Sequence, residues 1–217
     1  MIQRDHDYWN EYYRQKRAED MPSLFAQYVF DNLNEGESLV DLGCGNGRDA
    51  LYFCRNRIDV TAIDQSETGI EMIQAKEPGN ICCICGDITK LSSFCDDAYD
   101  HAYSRFCIHA LSEEQQSDLL SEVYKVLKPD GRFWIEVRGI KDTIYGKGEQ
   151  VGRNAFMYEG HYRRFIELEE LIQELEENGF EIVTAEEATG FAPYRGDDPE
   201  VIRITAKKKQ QGNDESN

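Results

Sequence analysis

Nowhere in this chain does an uninterrupted apolar stretch approach the roughly 18 residues that a bilayer-crossing helix needs. A membrane-spanning helix is excluded on that ground, and the chain is expected to fold in water. Positive charge is scarce too: 24 Lys and Arg stand against 42 Asp and Glu, a formal net charge of −18. A field of that sign repels phosphate backbones, and the basic stripe of a nucleic-acid-binding protein is missing. DNA and RNA are therefore not expected as partners. The run Lys207-Lys208-Lys209 ends a strand-like segment and leads into a polar tail, so it reads as a solvated terminus. The opening residues, Met1-Ile2-Gln3-Arg4-Asp5-His6-Asp7, carry charge and no apolar core. Neither a secretory leader nor a lipid anchor is expected, and the cytoplasm is the expected compartment. Seven cysteines, an odd number, fit free thiols rather than a disulfide framework.

What is present supports a packed core: 40% hydrophobic residues, 11% aromatics and a length of 217 that suits one domain, expected over 1–209 with 210–217 as a disordered tail. From Ser38 onward short apolar runs alternate with amphipathic stretches, the pattern of an α/β parallel sheet with helices on both faces. The pattern predicts strands at 38–42, 60–64, 81–85, 99–104, 132–137, 181–185 and 201–206. Helices are predicted at 49–56, 68–75, 113–127 and 167–178. Ser112 ahead of Glu113, Glu114 and Gln115 reads as a capped helix start, Lys128-Pro129-Asp130-Gly131 as a turn, and Asn178-Gly179 as a helix stop. Two further helices, 5–17 and 22–34, are expected ahead of the sheet, so that residues 1–35 form a helical lid. Residues 139–164, rich in glycine, aromatics and arginine, are expected to be a long irregular insertion on the substrate side.

The first strand runs into Val40-Asp41-Leu42-Gly43-Cys44-Gly45-Asn46-Gly47. A loop of this kind lets a ligand approach the backbone where a Cβ would collide. A helix beginning just beyond it points free N–H groups at the ligand. Asp64 ends the next strand, where a carboxylate accepts hydrogen bonds from both ribose hydroxyls. Gly86-Asp87-Ile88 follows the third strand and places another carboxylate on the ligand-binding edge, within reach of an adenine amino group. Strand, loop, helix and two acids in that order carry far more weight than a glycine pattern alone.

In these features the chain resembles the class I S-adenosylmethionine (SAM)-dependent methyltransferases. Residues Val40 to Gly47 are similar to their first motif, Asp64 to their ribose acid and Gly86-Asp87 to their adenine acid. The stretch from Asp100 to Leu111 resembles their fourth-strand motif, and Leu127-Lys128-Pro129-Asp130-Gly131-Arg132-Phe133 the turn into their fifth strand. The resemblance extends over roughly 38–207. It implies a Rossmann-like, seven-stranded, mostly parallel sheet with an antiparallel last strand. It implies SAM as cofactor, with Asp41, Gly43, Cys44, Gly45, Asn46, Asp64, Gln65, Asp87, Ile88, Ser104 and Phe106 as cofactor-binding residues. Residues Ser104 to Leu111 look most like small-molecule methyltransferases of the tellurite-resistance type and relatives in surface-sugar tailoring. The amine-methylating nucleic-acid enzymes carry Asp/Asn-Pro-Pro-Tyr/Phe where this chain has Ser104-Arg105-Phe106, so methylation of a base amine is not expected.

Methyl transfer from a sulfonium is an in-line displacement, so the first task is to align two reactants and exclude water. An alcohol acceptor also needs a base. His109, beyond the fourth strand, is the first candidate, a helix-packing or surface position being its alternative reading; His161, in the insertion, is the second candidate base. Arg138, Tyr162, Arg163 and Arg164 are candidates for binding the acceptor, because guanidinium groups pair with carboxylates and phosphates; salt bridges to nearby glutamates are the alternative. Tyr8, Trp9, Tyr12 and Tyr13 are placed either over the ligand, with Trp9 and Tyr13 favoured, or in ordinary packing. Cys82-Cys83-Ile84-Cys85 reads as small buried hydrophobes, since neighbours on a strand point to opposite faces and cannot share a tetrahedral metal. No metal is expected. The best reading is SAM-dependent methylation of a small, anionic acceptor, with oxygen favoured. One rival is an NAD-type oxidoreductase, against which the spacing G-x-G-x-G-R argues. The other is a non-catalytic SAM sensor or scaffold, since fold does not dictate function.

Overall fold

Leu39, Val40, Asp41 and Leu42 are all buried, as residues of a central parallel strand covered on both faces must be. Around that strand the computed structural model describes residues 3–15, 21–77, 81–94, 99–194 and 196–210. Helices α1 (Gln3–Gln15) and α2 (Leu24–Phe30) come first. Then follow β1 (Ser38–Leu42), α3 (Arg48–Arg55), β2 (Asp59–Asp64), α4 (Glu67–Lys76), β3 (Cys82–Cys85), β4 (Tyr99–Arg105), α5 (Glu113–Val126) and β5 (Leu127–Arg138). The chain continues through β6 (Glu149–Gly152), β7 (Ala155–Tyr158), β8 (His161–Arg164), α6 (Leu168–Glu177), β9 (Phe180–Ala188) and β10 (Val201–Lys208). Among the described residues no helix is long and apolar enough to cross a membrane.

The main sheet has seven strands in the order β3-β2-β1-β4-β5-β10-β9. The first five are parallel, and β10 runs antiparallel to both β5 and β9. This is the Rossmann-like sheet with an antiparallel last strand that the motifs imply. Period-two alternation sends Val40, Leu42, Phe133 and Ile135 to one face, against Leu119 and Val123 of α5 and Leu171 of α6. Leu39, Ala62, Tyr103 and Trp134 face the other way, against α2, α3 and α4. From β1 the chain moves outward to β3, then returns to lay β4 on the other side of β1. The connections leaving β1 and β4 therefore diverge, and a crevice opens at their C-terminal ends.

Several expectations need correction. The insertion is not irregular: β6, β7 and β8 form a three-stranded antiparallel sheet. Tyr158 pairs with His161 across the two-residue turn Glu159-Gly160, whose φ angles of 51° and 85° are those of a tight hairpin. Behind it Tyr145, Phe156 and Phe165 pack edge to face, 5.4 to 6.0 Å apart. Strand β5 begins at Leu127, not 132; the Pro-Asp-Gly turn is a bulge within it, with Asp130 at φ 65° and the pairing with β4 shifted beside it. Helix α2 is shorter than 22–34 because it starts after its cap Ser23, whose Oγ accepts from Ala26 N at 2.9 Å, and stops at Asp31. Cys82 and Cys85 are exposed rather than buried, since β3 is the edge of the sheet. The expected helix end at 16–17, Cys95 and tail residues 211–217 lie outside the described residues.

One buried carboxylate ties the sheet to its neighbours. Glu136, with a wholly enclosed side chain, accepts from Arg105 Nε at 2.8 Å and from Arg203 at 2.7 and 2.8 Å. Removing one partner of an enclosed ion pair leaves the others desolvated and unpaired. Glu136→Ala should therefore cost about 3–5 kcal/mol, seen as a lower urea midpoint at unchanged slope. An unchanged midpoint would show that the two arginines need no counter-charge.

Candidate active site

Beyond Leu42 the chain turns through Gly43, Gly45 and Gly47, all at positive φ. Gly45 shows why: a Cβ there would lie 2.4 Å from Tyr13 Oη. The loop is held by Asp64 at the end of β2, whose Oδ2 accepts from Gly45 N and whose Oδ1 accepts from Ser66 N, both at 2.8 Å. Burial pushes the Asp64 carboxyl up, against the pull of those N–H groups. Asp41 is pushed well above the ordinary carboxylate range by burial and by the nearby Asp49 and Asp64. Asp49 is tied to Ser23, Tyr103 and Arg48. Three enclosed carboxylates thus lie under and beside the glycine loop, an environment that favours a cationic ligand.

Helix α1 lies over this loop. Asn10 Oδ1 accepts from Ser66 Oγ at 2.6 Å and from Thr68 N at 3.2 Å, which anchors α1 to the start of α4. Trp9 stacks on Tyr13 at 6.0 Å and meets His161 of β8 at 5.7 Å, while Tyr8 stacks on His161 at 4.8 Å. The N-terminal helix and the inserted sheet therefore meet above the crevice. Between them and the loop lies a cleft, partly open to solvent. Its lining includes Trp9, Tyr13, Gly43, Asp64, Gln65, Gly86, Ile88, Phe106, His161 and Tyr162.

At the far end from Asp64 the character changes. Just beyond β4 comes Phe106, held at φ 52° with its N–H on Glu136 O at 2.8 Å, a backbone state that costs a bulky residue about 1–3 kcal/mol. Its ring sits between Arg105 at 4.4 Å and Arg138 at 5.3 Å. A single 3-10 turn, Ile108–Ala110, then presents His109 beside Phe106. His109 is buried and its Nδ1 has no hydrogen-bond partner. Burial, with Arg138 and Arg163 close by, holds its pKa well below that of a free imidazole. His161 is pulled down to about 4 by burial and the same two arginines. Its Nε2 accepts from Arg163 Nε at 2.7 Å, and its Nδ1 is buried without a partner.

Residues 40–135 match the methyltransferase domain model, over the strands and acids just described. These residues carry the features of a methyltransferase domain. The fold agrees: a SAM-dependent methyltransferase from Methanosarcina mazei superposes with a TM-score of 0.74 at 20% identity, over 85% of this chain and 98% of that one. The 1,6-didemethyltoxoflavin-N1-methyltransferase of Burkholderia thailandensis, solved with its acceptor and S-adenosylhomocysteine, superposes with a TM-score of 0.68 at 20% identity, over 86% and 77%. In sequence, phosphoethanolamine N-methyltransferase 2 of Caenorhabditis elegans is 27% identical over 124 residues, 55% of this chain and 26% of that protein. The chain spans between 21% and 51% of the length of the curated relatives it matches.

The expected site residues fall into three groups. Trp9, Tyr13, Gly43, Asp64, Gln65, Ile88, Phe106, His161 and Tyr162 line the cavity together. Asp41, Cys44, Gly45, Asn46, Asp87 and Ser104 stand behind or beside that lining; Asp87 spends one oxygen on capping Thr89, and Ser104 Oγ is buried without a partner. Arg138 and Arg163 gather near the two histidines, Arg138 also pairing with Asp142. Arg164 stands apart: its Nε donates to Leu111 O at 3.0 Å and it pairs with Gln116, tying the inserted sheet to α5. Cys107, Ala110 and Leu111 also line the cavity and were not foreseen, although they sit in a stretch already singled out. Nor was Asn10, which follows Trp9 on α1.

Two neutral, enclosed imidazoles make stability depend on pH. The unfolded chain takes up protons on both as pH drops through about 6.5, and the folded chain does not. Their contribution is fully present above that pH and is lost between it and the folded value, about 4 for His161. His161→Gln should flatten the fall of the urea midpoint across this window relative to the unmodified chain. Parallel curves would mean that the ring titrates alike in the folded and unfolded chains.

Proposed function

We propose that this chain transfers the methyl group of SAM to a small, anionic acceptor, with oxygen as the favoured nucleophile. The observation that carries the reading is the division of charge along one cavity. Enclosed carboxylates Asp41 and Asp64 flank the glycine loop, where a sulfonium and an ammonium are best accommodated; Arg138 and Arg163 stand beside Phe106 and His161, which line the same cavity. SAM supplies the methyl group on a cationic sulfur, which leaves uncharged. The glycine loop fits it, because the backbone at Gly45 leaves no space for a side chain under Tyr13.

The chain's own residues align, enclose and deprotonate. Trp9, Tyr13 and the inserted sheet cover the reacting groups and exclude water. Arg138 and Arg163 orient an anionic group on the acceptor by charge-assisted hydrogen bonds. His109 is neutral at physiological pH and so is able to take a hydroxyl proton as the C–O bond forms. His161 is the weaker candidate base, since Arg163 occupies its Nε2 lone pair. Nitrogen as the nucleophile is a second reading, favoured by the names of relatives: two are called phosphoethanolamine N-methyltransferases, whose acceptor also bears an anionic phosphate.

Calorimetric titration with S-adenosylhomocysteine tests the cofactor side. Asp64→Ala should weaken binding about tenfold or more, since a hydrogen bond to a charged group contributes about 1.5–3 kcal/mol. Arg138→Ala and Arg163→Ala should raise the acceptor KM by a similar factor and leave S-adenosylhomocysteine affinity unchanged, whereas Arg164→Ala should lower thermal stability. No binding of either SAM or S-adenosylhomocysteine to the unmodified chain would remove this reading.

A further inference from the structure

His161 sits where the lid, the inserted sheet and the cavity meet, and its two ring nitrogens have opposite situations. Nε2 lies 2.7 Å from Arg163 Nε. A guanidinium has only donors and stays charged, so Nε2 must offer its lone pair. A neutral imidazole carries one proton, which therefore resides on Nδ1. Nδ1 is buried with no hydrogen-bond partner, and leaving a buried N–H unpaired is costly enough that such groups in folded proteins call for a specific explanation. The ring is 6% exposed and is held by Tyr8 at 4.8 Å, inclined 30°, and by Trp9 at 5.7 Å. Among the described residues the charged and titratable groups around it are Arg138, Arg163, His109 and the stacked Tyr8. None of these accepts a proton from it in the structure.

We infer that His161 is a fixed hydrogen-bond donor to the acceptor's anionic group, its Nδ1–H tautomer set by Arg163, and not the base of the reaction. The missing partner of Nδ1 is an oxygen of a carboxylate or phosphate on the acceptor, bound where the two guanidinium groups supply counter-charge. This rests on the anionic-acceptor reading above and adds the residue that orients that anion. It also separates the two histidines: His109 takes the proton and His161 holds the oxyanion in place. A bound acceptor lacking an acceptor oxygen at that point would leave Nδ1–H unpaired, which selects against uncharged analogues.

Long-range ¹H–¹⁵N spectra of the full chain, saturated with S-adenosylhomocysteine, test the inference without knowledge of the acceptor. At neutral pH His161 should show a protonated Nδ1 and an unprotonated Nε2, and Arg163→Met should turn this into a tautomer mixture. Inorganic phosphate, used as the probe, should shift the Nδ1 proton. His161→Asn, which keeps an N–H near the Nδ1 position, should retain phosphate affinity within about threefold, and His161→Gln, which keeps one near Nε2, should lose about tenfold or more. Both variants should bind S-adenosylhomocysteine as the unmodified chain does. A proton on Nε2, or phosphate binding that leaves Nδ1 unmoved, would overturn the donor role. Equal loss in both variants with lowered thermal stability would make His161 a packing residue. Failure of S-adenosylhomocysteine to bind would instead overturn the cofactor reading and leave the tautomer measurement standing.

Discussion

Strand β4 does not extend the sheet beyond β3; it comes back to pair with the free side of β1, Asp41 lying opposite Tyr103. Two loops that leave adjacent parallel strands in opposite directions cannot cover the same space, so a crevice forms at the strand ends. Everything proposed to act in this chain is placed by that crevice. The glycine loop enters it from β1, Asp64 from β2, Gly86 from β3 and Phe106 from β4. Without the return of β4 these groups would lie on separate edges. The buried Glu136, bridging Arg105 and Arg203, secures the β4 side, and Phe106 N–H bonds to the carbonyl of the same glutamate.

The charge of the cavity follows from what is allowed to be enclosed there. Carboxylates beneath the loop are partly satisfied by backbone N–H groups, hydroxyls and Arg48, which leaves a deficit that a cation offsets. At the other end, burial and two arginines, one held by Asp142 and stacked on Phe106, depress two imidazoles. In a chain of net charge −18, a local excess of guanidinium groups stands out against the global field.

The fold was largely legible because its strands are buried on both faces, and such strands read as short apolar runs whichever elements surround them. Asp64 and the glycines were legible for a related reason: backbone conformations and close approach restrict residue type locally. The inserted sheet was harder. Its strands are four residues long, β6 wholly exposed and β7 and β8 only partly buried, and its aromatic and arginine content resembles a binding loop as much as a hairpin. The Glu159-Gly160 turn was the available clue. The exposure of Cys82 and Cys85 depended on β3 being at the edge, which follows from strand order rather than from local pattern.

Sequence alone therefore determined the alternating architecture, the loop that leaves a ligand room at the backbone, and the acids at the ends of β2 and β3, since each is a consequence of local periodicity or local backbone geometry. Only the tertiary structure decided that Arg163 belongs with His161 while Arg164, one residue on, faces α5. It also decided that Tyr8 and Trp9 close over that histidine, and that its Nε2 faces Arg163. Those outcomes depend on which face of a strand turns inward and on contacts between segments some 150 residues apart, such as Tyr8 and His161. Residue spacing carries no information about either until the strands are paired.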